Sequence, residues 1–377
     1  MKKIFFVVIL FLITLIIFNK IAKQYLEQTK YEQDDFIQNI KFVYGEKYQD
    51  YIKVYQQQSY PTLYTPLIEF RERERDYEFV SISKYGNRCT ENGIKKCEEP
   101  NGGKNEIWVF GGSTVFGYGL KNDETIAAHL KKYLKNKKVI NFGQGHFHST
   151  QSRIFFQNLL TFFPPPETVI FLDGFNDFKI NQINNYQFPI KTSLTRNFED
   201  LINNKEISKI KKFRNWLKEK LNKLNIVRLY KEKTKQNISK NNNKLLIDDL
   251  DVTYKSLINR LRVNFKINKS VGKKFNTNVI NILEPISLSS KNYSSSSIQK
   301  KYLKDFDKNF YHYKKIYALI EKNNELLNLV DINMINLNIK QNMFVDLTHY
   351  TSDFSKKIAS DIFQKLHDKK FIGITSN

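Results

Sequence analysis

The chain has 377 residues, of which 41% are hydrophobic and 14% aromatic, and this composition excludes an intrinsically disordered protein. It is long enough for one large domain with an appendage. The formal net charge of +23 would suit a polyanionic partner, but lysine recurs along the whole chain beside Asn and Ile instead of forming a cluster. We therefore expect no nucleic acid as a partner, while attraction to anionic lipid head groups or acidic glycans stays open.

The N-terminus carries the pattern of a membrane anchor. Lys2 and Lys3 precede an apolar run from Ile4 to Phe18 that contains no charge. A helix over residues 4–22 would be about 28 Å long, which matches the hydrocarbon core of a bilayer. No arrangement of small residues that would direct signal-peptide cleavage follows, so residues 1–22 are predicted to be an uncleaved transmembrane anchor. The lysines favour the cytoplasmic side, which predicts a single-pass protein of the cell (inner) membrane with its domain in the extracytoplasmic (periplasmic) space.

Residues 23–104 are polar and rich in tyrosine, and they are predicted to form an extracytoplasmic stalk or N-terminal extension. They contain Cys89 and Cys97, the only cysteines of the chain. In an oxidising compartment this pair could close a small disulfide loop, and two unpaired thiols are the alternative. A metal site needs more ligands than the pair supplies, so no metal is expected.

From residue 105 onwards, short apolar runs alternate with segments of helical spacing. The predicted strands lie at 107–110, 139–142, 168–172 and 278–283, and the predicted helices lie at 123–134, 150–162, 317–329 and 353–367. This alternation predicts an α/β domain over residues 105–377, with a largely parallel sheet covered on both faces. Ligands bind such sheets at the carboxyl ends of the strands.

Residues 183–262 interrupt the alternation with Lys- and Asn-rich sequence and are predicted to be a helical insertion. A basic amphipathic helix is expected within it, with Ile210, Phe213 and Leu217 on its apolar face. Such a helix could be a lid over a site, could lie on the membrane surface, or could cap the domain with its lysines solvated. These three interpretations stay open.

The segment from Val109 to Gly119 predicts a strand that runs into a serine framed by glycines, Gly111-Gly112-Ser113. A serine hydroxyl becomes a nucleophile on an exposed turn, with a base within hydrogen-bond reach and donors for the oxyanion. By itself, such a turn could also be a plain loop or a phosphate cradle. The Gly-Lys-Ser/Thr sequence of a P-loop does not follow, which excludes that kind of site.

Three further polar segments, at residues 141–151, 173–177 and 345–349, follow predicted strands or lie near the C-terminus. In a parallel sheet they converge with the serine turn on one edge. Asp346 and His349 are three residues apart and can share one face of a turn. The carboxylate can then orient the imidazole and stabilise its charged form.

Ser113, Gly145, Asn176 and His349 follow the order in which the SGNH (GDSL-type) hydrolase superfamily carries Ser, Gly, Asn and His in its sequence blocks. The chain resembles this superfamily, and within it a branch of N-terminally membrane-anchored bacterial proteins with a Gly-Gly-Ser-Thr block. The resemblance implies a three-layer α/β/α, flavodoxin-like core. It also implies a triad of Ser113, His349 and Asp346, an oxyanion hole made by Ser113, Gly145 and Asn176, and no cofactor.

Two roles within these blocks depend on the three-dimensional structure: the backbone donor for the oxyanion, and the partners of the two aspartates in the third block. Gly143 and Gly145 both lie in the second block, so the backbone N–H that faces the oxyanion is uncertain by a residue. Asp173 and Asp177 are expected to accept hydrogen bonds from loop backbone and not to join the triad.

His146 and His148 alternate toward one side of the second block. They are predicted to contact substrate, with plain packing as the alternative. A metal site that included Asp173 would still need a further ligand.

The predicted function is ester hydrolysis, as removal of an acyl or acetyl group from an extracytoplasmic glycan or lipid. The resemblance and the predicted location imply this substrate class. An O-acyltransferase that acts on a cell-surface polysaccharide would use the same triad, because both activities share the acyl-enzyme. A non-catalytic, glycan-binding protein of the same fold is the alternative from a different class.

Overall fold

The structure is a computed structural model, and it describes residues 14, 18–20, 31–59, 62–93, 97–178, 250–287, 307–334, 343–346 and 348–368. The anchor predicted over residues 4–22 lies outside these ranges, except for residues 14 and 18–20, and residues 183–249 of the predicted insertion also lie outside them. None of the helices within the described ranges combines the length and the apolar character of a membrane span.

The chain divides into two compact units. The first comprises residues 1–38 and 192–250, and those of its residues that the structure describes are helical. The second comprises residues 39–191 and 251–377, and it contains every strand described below.

From residue 31 to the central sheet, the described residues form α1 (Tyr31–Tyr44), the 3-10 turn Gly45–Lys47, α2 (Tyr48–Gln58), β1 (Leu63–Thr65), β2 (Glu69–Arg71), β3 (Arg75–Asp76) and β4 (Ser81–Ile82). Strand β1 pairs antiparallel with β2, and β3 pairs antiparallel with β4.

The central sheet and its helices follow: β5 (Gly103–Gly111), α3 (Ser113–Phe116), the 3-10 turn Asn122–Glu124, α4 (Ile126–Tyr133), β6 (Lys138–Asn141), α5 (Ser149–Leu159), β7 (Pro166–Asp173), α6 (Leu250–Lys274), β8 (Asn278–Leu283), α7 (Asp307–Glu321), α8 (Asn324–Leu327), β9 (Ile332–Asn333) and α9 (Ser352–Asp368).

Five parallel strands form the central sheet in the order β6-β5-β7-β8-β9. In order of occurrence along the chain this is 2-1-3-4-5, the order of flavodoxin-like sheets. In the register, Trp108 of β5 lies opposite Ile140 of β6 and Val169 of β7. The predicted α/β class with a parallel sheet is therefore confirmed.

Alternate residues of a strand point to opposite sides of the sheet. Helices cover the side chains on both sides. On one side, Ile107 and Val109 of β5 pack in a core with Ile126 and Leu130 of α4 and with Ile358 of α9. The spacing of Ile126 and Leu130 places both side chains on the same face of their helix.

The other face of the sheet carries aromatic side chains. Phe110 of β5 lies 5.4 Å from Phe171 of β7 and 5.7 Å from Phe156 of α5, measured between ring centroids. Helix α6 lies on the same side, where Asn281 Nδ2 of β8 donates a hydrogen bond to Phe265 O. The unit thus has three layers, helices on each side of the sheet.

Within residues 39–104, which were predicted to be part of a stalk or N-terminal extension, described residues pack on the α/β core. Val54, Phe79, Val80 and Ile82 form a buried cluster with Phe116, which lies in α3 directly after the β5 turn. The sequence did not indicate this packing, because the apolar side chains of this segment are scattered singly among polar ones. They become buried only through contacts that are distant in sequence.

Arg88 is fully buried and holds the chain that follows α3. Its Nη1 donates to the carbonyl oxygens of Phe116 and Gly117 at 2.7 and 2.6 Å, and its Nε donates to Asn122 Oδ1 at 3.1 Å. Burial lowers the pKa of Arg88 to about 9, so the guanidinium remains charged at neutral pH. The next residue, Cys89, is joined to Cys97 by a disulfide.

Helix α6 covers the last part of the insertion predicted over residues 183–262 and continues beyond it. Helix α6 begins at Leu250, and its residues Leu257, Ile258 and Leu261 are buried in the second unit.

Replacing Arg88 by Met is expected to lower the free energy of unfolding by about 2–4 kcal/mol, because buried carbonyl oxygens lose their donors. Urea denaturation followed by tryptophan fluorescence measures this change. The exposed Arg73, changed to Met, is the control and should shift stability by less than about 0.5 kcal/mol. Equal effects of the two substitutions would contradict the role given to Arg88.

Candidate active site

Polar side chains gather at the carboxyl edge of the sheet. Strand β5 ends at Gly111 and leads to Ser113, and β7 ends at Asp173 and leads to Asn176. Because the strands are parallel, these turns lie at the same edge, where ligands bind such sheets. The loop that carries Asp346 and His349 reaches the same place, as the contacts of Ser113 show.

Ser113, His349 and Asp346 form a continuous chain of polar contacts. His349 Nε2 lies 3.0 Å from Ser113 Oγ, and His349 Nδ1 lies 2.6 Å from Asp346 Oδ2. Ser113 and His349 are half-buried. The structure thus brings together the three residues predicted to form a triad.

Asp346 is held by its own loop. Its Oδ1 accepts hydrogen bonds from the backbone N–H groups of Thr348 and His349, each at 2.8 Å. Burial by itself would raise the pKa of Asp346, but the charge of His349 and these hydrogen bonds outweigh burial and lower the pKa to about 2. The carboxylate therefore stays ionised next to the imidazole at neutral pH.

Two residues that the sequence analysis did not select support this loop. The ring of Tyr118 lies 4.8 Å from the His349 ring between centroids, tilted by 44°. Asn39 Nδ2 donates to Val345 O at 2.7 Å, directly before Asp346. Tyr118 belongs to the glycine-framed serine segment and could have been noticed there, whereas Asn39 gave no signal because it lies in the presumed stalk.

Residue 112 must be a glycine because the turn that carries Asn176 lies very close to it. A Cβ atom built on Gly112 would lie 2.6 Å from Asn176 Nδ2 and 3.1 Å from Phe147 O. Asn176 is itself fixed, because its Nδ2 donates to Phe147 O at 2.8 Å. A side chain at residue 112 would therefore push the Asn176 amide away from the serine.

The structure also separates Gly143 from Gly145. The N–H of Gly143 donates to Asn141 Oδ1 at 2.9 Å, so it is already used. Within the residues that the structure describes, the N–H groups of Ser113 and Gly145 have no hydrogen-bond acceptor. The sequence-predicted Gly145 is thus the second-block glycine that has a free donor.

His148 does not occupy the position expected of a substrate-binding residue. Its side chain is buried, and its Nδ1 accepts a hydrogen bond from Thr150 N at 3.2 Å at the start of α5. Burial, and to a smaller extent Arg260, lowers the pKa of His148 to about 3, so the ring is neutral. The prediction is corrected to a helix-capping role. His146 is exposed directly after Gly145, and its substrate contact stays a prediction.

Asp173 and Asp177 are bound by neighbouring side chains and backbone, as expected of structural acceptors. Asp177 accepts from Ser149 N at 2.9 Å and from Ser149 Oγ at 2.5 Å, and Asp173 Oδ1 accepts from Ser152 Oγ at 2.9 Å. Neither contacts His349. In the described part of the chain, no three His, Cys, Asp or Glu side chains are grouped to hold a metal ion.

Comparison with known proteins gives a limited likeness. No protein-family model and no curated protein matches the chain. Among solved structures, the crystal structure of AlinE4, an SGNH-hydrolase family esterase, matches at 29% sequence identity and a TM-score of 0.19, covering 21% of this chain and 45% of that one. An aspartate-to-alanine mutant of the same esterase matches with the same figures. The chain thus spans less than half of the length of that esterase.

Changing Asp346 to Asn should remove a pH-dependent part of the stability. The pKa of Asp346 is about 2 in the folded protein against a usual value of 3.8, so its stabilising effect is present above about pH 4 and lost as the pH falls toward 2. Since the carboxyl is about a third exposed, we expect the variant to be less stable by about 1–2 kcal/mol at pH 7.

Urea denaturation at a series of pH values from 7 to 2 measures the difference between Asp346→Asn and the wild type. The difference should shrink toward pH 2, and the exposed control Glu46→Gln should show no such trend. A constant difference across this range would contradict the lowered pKa.

Proposed function

We propose that this chain is an SGNH-type serine hydrolase that cleaves acyl esters. The observation that carries the proposal is the hydrogen-bonded chain from Ser113 Oγ through the His349 ring to Asp346 Oδ2. Nucleophilic serine catalysis needs this order of nucleophile, base and orienting carboxylate.

The contacts assign a role to each ring nitrogen of His349. Asp346 Oδ2 accepts the proton of Nδ1, so Nε2 carries the lone pair that accepts the proton of the Ser113 hydroxyl. Ser113 Oγ then forms a bond to the ester carbonyl carbon, and the carbonyl oxygen becomes an oxyanion. His349 returns its proton to the leaving alcohol as the ester bond breaks, which leaves an acyl group on Ser113.

Water completes the cycle by the same steps in reverse order. His349 takes a proton from the water as its oxygen attacks the acyl carbon, and Ser113 leaves with that proton. The N–H groups of Ser113 and Gly145 and the second amide hydrogen of Asn176 are the donors proposed for the oxyanion in both halves. No step of this cycle uses a cofactor.

The proposed substrate is an acyl or acetyl ester on an extracytoplasmic glycan or lipid. The apolar run in residues 4–22 supports attachment to the cell membrane, with the catalytic unit on the extracytoplasmic side. The Cys89–Cys97 disulfide supports the same location, because disulfides persist in oxidising compartments.

Changing Ser113 to Ala in the full-length protein, purified in detergent, should lower kcat for a short-chain aryl ester by a factor of at least about 10³. It should also abolish labelling by a fluorophosphonate probe, which reacts with activated serines. Ser270→Ala, at an exposed serine of α6, is the matched control and should keep both activities.

A folded wild-type protein that neither hydrolyses the ester nor reacts with the probe would contradict the proposal. If the probe labels Ser113 but the acyl group passes to an added glycan acceptor in preference to water, the chain is an O-acyltransferase with the same triad. Product analysis with and without the acceptor distinguishes the two reactions.

A further inference from the structure

Glu284 follows β8 directly, and both its backbone N–H and its backbone carbonyl group are hydrogen-bonded. Its N–H donates to Asp173 O at 3.0 Å, and its carbonyl oxygen accepts from Tyr317 Oη at 2.9 Å. The side chain is buried, with 2% of its surface exposed. A carboxyl group held so rigidly at the carboxyl edge of the sheet can impose its position on what it contacts.

The Glu284 carboxylate contacts two different turns of the candidate site. Its Oε1 accepts a hydrogen bond from Thr114 Oγ1 at 2.7 Å, and its Oε2 accepts from Phe175 N at 2.9 Å. Thr114 follows Ser113, and Phe175 precedes Asn176. One side chain therefore joins the turn of the nucleophile to the turn of the amide donor.

This connection crosses a strand. In the sheet order β5-β7-β8, the serine turn follows β5 and Glu284 follows β8, so the carboxylate spans the end of β7. The separation of Ser113 Oγ and the Asn176 amide determines whether attack and oxyanion binding occur in one geometry. A misplacement of about 1 Å can cost about 100-fold in rate.

We propose that Glu284 is a positioning residue that keeps Ser113 and Asn176 in register, an inference that rests on the proposed function for the catalytic consequence. Glu284 acts through Thr114 and Phe175 and does not touch the reacting atoms. It lies outside every segment that the sequence analysis selected.

The electrostatic surroundings of Glu284 make this link sensitive to pH. Burial raises its pKa to about 7, against the opposing effect of the hydrogen bonds from Thr114 and Phe175 and of the charge of His349. The other titratable groups that interact with it are Asp173 and Asp177 beside β7, Tyr313 and Tyr317 of α7, and Tyr350 in the C-terminal loop.

Ionisation strengthens the link, because hydrogen bonds to a carboxylate are stronger than those to a neutral acid. A protonated Glu284, or a glutamine, can still accept from Phe175 N and donate to the Thr114 hydroxyl. The link is then weaker but unbroken.

Glu284→Ala should lower kcat for the aryl ester by about 10- to 100-fold and change KM by less than about threefold, because alignment is lost and ground-state binding is not. Glu284→Gln should recover most of this loss. The ratio of wild-type kcat to that of the Gln variant should rise from pH 6 to pH 8, as Glu284 ionises. A kcat of the Ala variant equal to that of the wild type would overturn the inference.

A double-mutant cycle tests the route. Thr114→Val should lower kcat in the wild type but have no further effect in Glu284→Ala, because Thr114 acts through the carboxylate. Additive losses would overturn the assignment. Glu106→Ala is the matched control: Glu106 is also buried and accepts from Trp108 Nε1 and Gly102 N, but it lies near the start of β5. It should reduce stability without a change in kcat.

Amide hydrogen exchange of the full-length protein gives a readout that does not depend on activity. Glu284→Ala should increase exchange in residues 111–118 and 174–178 together, and Glu106→Ala should not. Unchanged exchange in both segments would overturn the link, even in an active enzyme. Increased exchange in a protein whose Ser113 reacts with no probe would establish the link and reject the proposed function. If Glu284→Ala does not fold, Glu284→Gln and Thr114→Val carry the same comparison.

Discussion

The parallel pairing of β5 with β6 and β7 is the constraint on which the candidate site depends. Val109 of β5 lies opposite Asn141 of β6 and Ile170 of β7, so β6 ends two residues before the end of β5, and β7 ends one residue beyond it. The turn of Ser113 then meets the turns of Gly145 and Asn176, each built from only a few residues. Because the turns are short, their positions follow from the register of the sheet, and the aromatic packing between Phe110, Phe156 and Phe171 keeps that register fixed.

The acidic side chains at this edge differ in ionisation because their partners differ. Burial and the neighbouring Asp177 raise the pKa of Asp173, and burial raises that of Glu284 to about 7, whereas that of Asp346 is lowered to about 2. Asp346 combines two backbone donors with a direct contact to His349. The fold thus places the most firmly ionised of these three carboxylates at the imidazole, where positive charge would develop in the proposed reaction.

The sequence predicted those structural features that are determined by residues close together in the chain. Strand, turn and helix around Ser113 follow from an apolar run and glycines, and the spacing of Asp346 and His349 indicated their contact. Glu284 was missed because partners far away in the chain determine its role, with Thr114 lying 170 residues before Glu284. No periodicity in the sequence marks such contacts. The sequence pattern of a polar residue after a strand is the same whether that residue is solvated or buried.

Helix α3 is too short for its own N–H groups to bond all of its carbonyl oxygens. It therefore needs hydrogen-bond donors from the segment before the sheet. A helix that covers only Ser113–Phe116 leaves its last carbonyl groups without intrahelical donors. Arg88 donates to the carbonyl oxygens of Phe116 and Gly117, and Gln58 Nε2 donates to Gly117 O at 3.0 Å. Buried carbonyl groups without such donors would be costly, so the one-turn helix that begins at Ser113 requires polar side chains from elsewhere. The described residues within 39–104 supply them, so this segment belongs to the structure that holds the candidate site.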